Sequence, residues 1–178
     1  MSDAVTWLTA VPVTTSRLHL EPLRVEHASE AMVVFDDVRL HRWIGGTPDT
    51  FEELEARYWR QLAGQSPDGG QGWLNWMLRR LADGRLVGTV QATLSHRNAG
   101  GIEAELAWVI GSDHQGNGYG REGTLAMADW LLAHGVEGLT AHIHPQHGAS
   151  NGIARALGLS VTNERAGDEV LWTGSCRK

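Results

Sequence analysis

Hydrophobic residues follow two different spacings along the chain, and the order of these spacings predicts a mixed α/β fold. Residues 17–23 (RLHLEPL) alternate leucine with polar residues, which is typical of a half-buried strand. Residues 25–37 then carry apolar positions at helical spacing. A second helix is predicted over 50–63, where Thr50 and Glu53 form a capping-box pattern that satisfies free backbone N–H groups.

The middle of the chain predicts an antiparallel sheet. Three strand-like runs follow one another and are joined only by the short turns ADGR and HRNAGG, a spacing that favours hairpins. The runs are WLNWMLRR (73–80), LVGTVQATL (86–94) and IEAELAWVI (102–110).

The last third of the chain alternates helices and strands again. A helix is predicted from about Tyr119 to His134, with Gly135 as its C-terminal stop. A strand (LTAHIH), a helix (ASNGIARAL) and two further strands (LSVTN and EVLWTG) follow. Together with the earlier elements, this order predicts about six to seven strands and about four helices in a single domain that spans residues 1–178.

Composition and charge exclude several classes of protein. The formal net charge is −6, whereas nucleic-acid-binding domains are usually basic, so we expect no nucleic-acid partner. No run approaches the roughly 18 apolar residues of a membrane span, and the first residues lack the pattern of a secretory signal, so we expect no membrane partner. The single cysteine, Cys176, cannot form an internal disulfide or a cysteine-based metal cluster. These features predict a cytoplasmic protein.

Residues 114–123 (HQGNGYGREG) contain the glycine spacing G-x-G-x-x-G of dinucleotide-binding loops. That function requires an acidic residue about 20 positions beyond the last glycine, but Ile143 stands there. The glycines nevertheless lie between a predicted strand and a predicted helix, where free N–H groups and the helix dipole favour an anion. We therefore expect the main chain around Gly116, Gly118 and Gly120 to bind phosphate. The alternative is a loop that needs only the left-handed backbone conformation.

The run Gln115-Gly116-Asn117-Gly118-Tyr119-Gly120 resembles the Q/R-x-x-G-x-G/A signature of the GNAT acetyltransferase superfamily. The resemblance implies that the loop amides hold the pyrophosphate of acetyl-CoA, and that the preceding strand splays from its neighbour to expose an edge to pantetheine. It also implies the GNAT fold, with a central, mostly antiparallel mixed sheet. The cofactor-binding residues that it implies are Trp108, Val109, Ile110, Gln115, Gly116, Asn117, Gly118, Tyr119, Gly120, Arg121, His147 and Ser150.

Two further segments are similar to the ribosomal-protein N-terminal acetyltransferase branch of that superfamily. TTSRLHLEPL resembles its opening strand, and HPQHGASNGIARALGL (144–159) resembles its D-P-x-N-x-x-S-x-x-x-L-x-x-L-G-F segment. The chain departs from the branch at two points: His147 replaces the frequent asparagine, and no tyrosine lies between 148 and 159 to act as a general acid. We therefore expect the pantetheine contact at His147 to be made differently or lost, and the proton donor to be another residue.

Transfer of an acetyl group to an amine requires a neutral amine, an oxyanion donor and a proton for the departing thiolate. Glu105 aligns with an acid that the branch often keeps beside the acetyl group, and we predict that it acts as the base, directly or through water. Ser150 matches the family's serine and is predicted to pass a proton to the thiolate. A free N–H near Val109 and Ile110 is the predicted oxyanion donor. The structural alternatives are a carboxylate paired with arginine or solvent at Glu105, and a helix-capping hydroxyl at Ser150.

The acceptor side is predicted from charge and aromatic content. Residues 36–55 hold six acidic side chains and two arginines, and acids beside aromatic faces would attract a cationic amine. The substrate-side candidates are Asp36, Asp37, Trp43 and Trp76. The alternatives are a solvated helix face for the acids and core packing for the tryptophans.

These features predict an acetyl-CoA-dependent N-acetyltransferase that acts as a monomer or homodimer. The acceptor amine could belong to a protein N-terminus, to an amino acid or peptide, or to a small molecule. A non-catalytic acyl-CoA-binding module is the alternative, because the chain departs from the family at His147 and lacks the helix tyrosine. We expect no bound metal, since the histidines of HIHPQH (142–147) have no acid or cysteine nearby to complete a site.

Overall fold

The computed structural model describes residues 6–175, and Cys176 lies outside this range. The eight strands are β1 (Val13–Thr14), β2 (Leu18–Pro22), β3 (Gly72–Arg80), β4 (Leu86–His96), β5 (Ile102–Ile110), β6 (Val136–Ile143), β7 (Ser160–Ala166) and β8 (Glu169–Ser175). The five α-helices are α1 (His27–Phe35), α2 (His41–Ile44), α3 (Phe51–Gln61), α4 (Tyr119–Ala133) and α5 (Gly148–Ala156). No helix within the described range combines the length and the apolar composition needed to cross a bilayer.

Local sequence signals place several of these elements correctly. The main-chain N–H of Thr50 donates to Oε2 of Glu53 at 2.9 Å, and the N–H of Glu53 donates to Oγ1 of Thr50 at 3.3 Å. This confirms the predicted capping box at the start of α3. Gly135 adopts a φ of +92°, just beyond the end of α4, as a helix stop requires.

The strands form one open sheet in the order β1-β2-β3-β4-β5-β6-β8-β7. The meander of β3, β4 and β5 is antiparallel, as predicted, whereas β5 and β6 run parallel and are connected by α4. The mixed α/β architecture is therefore confirmed. The prediction of about six to seven strands and four helices omitted β1 and α2, because a two-residue strand and a four-residue helix are too short to show a periodic pattern.

Helices cover both faces of the sheet and enclose two hydrophobic clusters. On one face, Met127 and Leu131 of α4 pack against a cluster that includes Leu78 of β3. On the other face, Leu54 and Tyr58 of α3 pack with residues of α1 and of the neighbouring strands. The middle of the sheet is thus held rigidly between layers, and the strand ends near α5 are positioned by this core.

Candidate active site

A cavity of about 410 Å³ opens over the middle of the sheet, between the α1–α3 segment and the beginning of α5. Its walls carry aromatic, acidic and histidine side chains. The residues that line it include Asp36, Trp43, Tyr58, Trp108, His142 and Ser150. No cluster of three or more side chains that could ligate a metal occurs among residues 6–175.

A gap in the sheet forms the floor of this cavity. Strand β5 pairs with β6 only from Ile102 to Glu105, opposite residues 136–140. Beyond Glu105 the pairing ends, although β5 continues as far as Ile110. The second half of β5 therefore presents one main-chain edge that β6 does not occupy, which is the splay that the resemblance implies.

Strand alternation shows which groups face the gap. The N–H of Gly111 donates to the carbonyl of Val87 at 2.9 Å, so Gly111 belongs to a hydrogen-bonded pair with β4. Since such pairs alternate along an antiparallel ladder, the N–H of Val109 also points to β4. The N–H groups of Trp108 and Ile110 point into the gap instead. The predicted free donor is therefore placed at Trp108 and Ile110 and not at Val109.

The glycine-rich loop joins β5 to α4 and leaves a row of main-chain donors free. Within residues 6–175, no acceptor is hydrogen-bonded to the N–H groups of residues 116–121. The first main-chain bond of the helix runs from the N–H of Glu122 to the carbonyl of Gly118, at 3.0 Å. Gly116 and Gly118 adopt left-handed φ values of +78° and +81°. Free donors at the beginning of a helix with a favourable dipole make an anion-binding geometry.

Two amide side chains brace this loop. Nε2 of Gln115 donates to the carbonyl of Ile110 at 2.9 Å. Nδ2 of Asn117 lies 3.0 Å from the carbonyl of His114 and 3.2 Å from that of Gln115. These contacts fix the loop to the end of β5, so the two amide groups shape the loop and their donors are used by main-chain carbonyls.

Gly120 has a different role from the first two glycines of the loop. A Cβ at this position would lie 3.1 Å from Cγ1 of Ile110 and 3.2 Å from Cδ1 of Ile153. Tyr119 is buried beside it, whereas Arg121 is exposed. Close packing between α4, β5 and α5 therefore favours a residue without a large side chain at 120. The sequence attributed all three glycines to the approach of phosphate, and at Gly120 the packing contacts add a second reason for a small residue.

Sequence reasoning missed an ion pair that anchors the loop. The Nε of Arg17 donates to Glu122 at 2.6 Å, and its Nη1 donates to the carbonyl of Asn117 at 2.9 Å. Burial alone would raise the pKa of Glu122, but hydrogen bonds from Thr15 and Arg17 outweigh it and lower that pKa. The guanidinium also lies 4.9 Å from the ring centroid of Tyr119. Because Arg17 offsets the negative charge of Glu122, an anion at the start of α4 is not repelled.

Glu105 reaches the cavity through a second residue. Its Oε1 lies 2.7 Å from Nδ1 of His142, which follows Thr140 on the same face of β6. His142 lines the cavity, whereas Glu105 does not, and the side chain of Glu105 is 51% exposed. The protein partner of the carboxylate is thus a histidine and not an arginine, and the rest of the carboxylate is open to solvent, as the structural alternative expects.

Ser150 and His147 form the wall at the beginning of α5. The indole Nε1–H of Trp108 donates to Oγ of Ser150 at 3.1 Å. Nδ1 of His147 accepts the N–H of Ser150 at 3.4 Å, so His147 caps α5 in place of Ser150. The ring of His147 stacks on Trp43 with centroids 4.6 Å apart. Burial lowers the pKa of His147, which favours the neutral ring that this cap requires.

The structure places two of the four substrate-side candidates in the cavity. Asp36 and Trp43 both line it. Asp49 and Arg57, which the sequence did not single out, line it as well and form an ion pair at 2.6 Å. Tyr58 is a further lining residue, and burial raises its pKa to about 12, so its hydroxyl stays protonated.

The other two candidates lie elsewhere, and their assignment to the substrate side is corrected. Asp37 accepts the N–H and Nε of Arg39 at 2.9 Å, and this contact holds the pKa of Asp37 well below its usual range. Trp76 is fully buried on the opposite face of the sheet. Its Nε1 donates to the carbonyl of Val11 at 2.7 Å, and its ring lies 5.5 Å from that of Trp130. Core packing therefore accounts for Trp76.

The site geometry agrees with a family match over most of the chain. A model of the acetyltransferase (GNAT) domain matches residues 17–160, which include the gap, the glycine loop and the start of α5. The chain belongs to the GNAT acetyltransferase family. This GNAT protein is an acyltransferase, and the general reaction of its family is acetyl transfer from acetyl-CoA.

Solved structures share the GNAT fold at low sequence identity. An acetyltransferase (GNAT family) from Bacillus anthracis has a TM-score of 0.75 and 12% identity over 93% of this chain and 98% of that one. The acetyl transferase from Salmonella typhimurium that modifies the N-terminal serine of ribosomal protein L7/L12 has a TM-score of 0.71 and 12% identity, over 92% and 97%. The microcin C7 self-immunity acetyltransferase MccE, in complex with acetyl-CoA and AMP, has a TM-score of 0.73 and 10% identity, over 90% and 93%. Among curated proteins, none matches this chain.

Proposed function

We propose that this GNAT protein transfers the acetyl group of acetyl-CoA to a primary amine by direct attack in a ternary complex. The observation that carries the proposal is that the free edge of β5, which borders the cavity, continues directly into the free N–H groups of the glycine loop. The free N–H groups of residues 116–121 suit the pyrophosphate, and the gap beyond Glu105 suits the pantetheine arm. The thioester would then lie beside the cavity wall formed by Trp108 and Ser150.

The catalytic roles follow from the chemistry of this wall. The N–H of Trp108 or Ile110 is proposed as the oxyanion donor, a contribution worth about 10²- to 10³-fold in rate at other sites. Ser150 is proposed to pass a proton to the departing thiolate, with its hydroxyl oriented by the indole of Trp108. Glu105 is proposed to supply the carboxylate of the base, directly or through an intermediate group.

The acceptor is proposed to be a peptide, a protein N-terminus or a small amine. We also propose that the chain belongs to the ribosomal-protein N-terminal acetyltransferase branch. Support comes from the opening strand and the 144–159 segment. We further propose that residues 1–178 act as one domain, as a monomer or homodimer.

The test begins with ligand binding. Thermal denaturation is measured with acetyl-CoA, CoA and NAD, because a ligand at 100 times its Kd adds about 2.7 kcal/mol to the native state. For a chain of 178 residues, this corresponds to a rise in Tm of roughly 5–11 °C. We expect both CoA compounds to stabilise the protein and NAD to have no effect. Stabilisation by NAD alone would overturn the assignment.

Thiol release then separates an enzyme from a binding module. The acceptor panel comprises alanyl-alanine amide with a free α-amine, Nα-acetyl-lysine amide with a free ε-amine, and putrescine. Amine-dependent release of CoA, with an acetylated product in the mass spectrum, supports the transferase. Stabilisation by acetyl-CoA without release of thiol to any of the three supports the non-catalytic alternative.

A further inference from the structure

The contact between Glu105 and His142 indicates which side chain takes the proton of the acceptor amine, a point that the sequence left open. We propose that Nε2 of His142 accepts the proton of the attacking amine, and that Glu105 is a positioning residue that holds the imidazole ring. This inference rests on the proposed transfer to an amine. It identifies the intermediate group through which the carboxylate acts.

The two side chains meet where the gap begins. Glu105 pairs with Thr140 at the last parallel position of β5 and β6, and His142 is the next residue of β6 on that face. The Oε1–Nδ1 distance of 2.7 Å thus joins the two strands just beyond their last main-chain pair. Only His142 of this pair lines the cavity, and its side chain is 28% exposed. The ring therefore borders the cavity, whereas the carboxylate is exposed to solvent outside the cavity.

The contact also fixes the tautomer of the ring. An ionised carboxylate only accepts hydrogen bonds, so the proton of the neutral imidazole lies on Nδ1. Nε2 then carries a lone pair, and no side chain or main-chain group within residues 6–175 is hydrogen-bonded to it. A base on the cavity wall needs this arrangement, because the nitrogen that faces the substrate must be the unprotonated one.

The proton balance of the reaction is complete with this assignment. A cationic acceptor first gives one proton to Nε2 of His142, which passes it to solvent. The neutral amine nitrogen then forms a bond to the thioester carbonyl carbon, and its extra proton moves to Nε2 of His142 in turn. The imidazolium that results is stabilised by the adjacent carboxylate of Glu105. The C–S bond then breaks, CoA leaves as a thiolate, and the thiolate takes one proton to give free CoA, either directly from solvent or from Ser150, which regains a proton from solvent. His142 returns its proton to solvent, so the products are the acetylated amine and CoA.

The kinetic test compares His142→Gln, Glu105→Gln and the double variant, with alanyl-alanine amide and Nα-acetyl-lysine amide as acceptors. Glu103→Gln is the matched control, because Glu103 lies on the same face of β5, two residues before Glu105, and does not line the cavity. We expect His142→Gln to lower kcat about 10²-fold or more, with the KM for acetyl-CoA little changed. Glu105→Gln should lower kcat less, and the double variant should be no slower than His142→Gln. The Glu103→Gln control should retain the kcat of the native enzyme.

Two kinetic results would overturn the proposal. One is a kcat for His142→Gln within twofold of the native value for both acceptors. The other is a double variant whose fold-loss in kcat equals the product of the two single losses. Independent residues give such a product because their activation free energies add, whereas residues that act as one unit do not.

A spectroscopic measurement keeps the pair testable if no amine is acetylated. The ¹⁵N chemical shifts of His142 in the native protein should show a protonated Nδ1 and a bare Nε2, and Glu105→Ala should abolish that preference. A native ring with its proton on Nε2 would refute the pair. Absence of thiol release with the expected tautomer would instead count against the proposed function alone.

Discussion

The anion-binding role of the glycine loop can be tested by substituting two glycines that share the same backbone conformation, one in the loop and one outside it. Gly116 and Gly84 have φ values of +78° and +71°, and a Cβ added to either meets no atom within 4 Å. Alanine in a left-handed conformation costs about 1–2 kcal/mol. For a chain of this length, each kcal/mol lowers Tm by about 2–4 °C. Gly116→Ala and Gly84→Ala should therefore lose similar amounts of stability, roughly 2–8 °C in Tm.

Their affinities for CoA should differ. Gly116 begins the run of free N–H groups, whereas Gly84 lies in the turn between β3 and β4. A hydrogen bond to a charged group contributes about 1.5–3 kcal/mol, so loss of one phosphate contact corresponds to a roughly 10- to 150-fold rise in Kd. We expect that rise for CoA and acetyl-CoA with Gly116→Ala, and a change below about twofold with Gly84→Ala.

Isothermal titration calorimetry measures both affinities, and S-acetylpantetheine serves as a second probe because it lacks the pyrophosphate. The two variants should bind this probe equally well. Equal CoA affinities for the two variants, at equal loss of Tm, would refute the anion-binding role of the loop. A loss of S-acetylpantetheine binding confined to Gly116→Ala would instead indicate a distorted gap.

Three further predictions concern stability. Gly120→Val should lower the free energy of unfolding by about 1–3 kcal/mol in urea titrations because two isoleucines already fill the space, and an unchanged midpoint would contradict this. Arg79 donates hydrogen bonds to Glu21 and Glu30 and lowers the pKa of both carboxyl groups. The two ion pairs therefore stabilise the folded protein fully above about pH 4.5, and this stabilisation is lost as pH falls through the lowered pKa values of the folded state. Arg79→Met should have a lower free energy of unfolding than the native protein at pH 7, and that free energy should fall less steeply between pH 5 and 3. An equally steep fall in the variant and the native protein would contradict this prediction. Trp76→Phe should cost about 1–3 kcal/mol by leaving a main-chain carbonyl without its donor, with the KM for acetyl-CoA unchanged.

The features of this structure that the sequence predicted correctly are encoded by a few neighbouring residues. The capping box at Thr50 and the amide contacts within the glycine loop join residues at most five positions apart. The buried position of Trp76 also had a local signal. Leu74, Trp76 and Leu78 share one face of β3, and this alternation indicates a core strand more strongly than tryptophan content indicates a binding site.

Contacts between residues far apart in the chain were the part that the sequence did not reveal. Glu105 and His142 are 37 positions apart, and Arg17 and Glu122 are 105 positions apart. Which residues meet is set by the register between β5 and β6, and a shift of one residue would turn His142 to the other face of the sheet. No local pattern encodes that register. The sequence therefore identified Glu105 as an acid of interest without identifying its partner.

The charges around the cavity connect the acceptor to the need for a base. Three carboxylates and one guanidinium line it, and Asp49 is paired with Arg57. Asp36 and Glu169 remain as negative charges with no ion-pair partner among residues 6–175. This field attracts an ammonium ion, but it also favours the protonated amine, which has no lone pair for attack. An acceptor that is recruited by charge must therefore lose a proton inside the site.

The size of that requirement depends on the acceptor. An α-amine with a pKa near 7.8 is roughly one quarter neutral at pH 7.4, whereas a lysine amine near 10.4 is neutral in only about one molecule in a thousand. Loss of the base should consequently matter more for a lysine acceptor, and the defect of His142→Gln should fade as pH rises toward the pKa of the amine. Because the acidic lining raises that pKa in the bound state, the defect should persist to a higher pH than the free amine predicts. The pH at which the defect fades can be compared with the pKa of the free amine, and the difference measures how far the acidic side chains Asp36 and Glu169 raise the pKa of the bound acceptor.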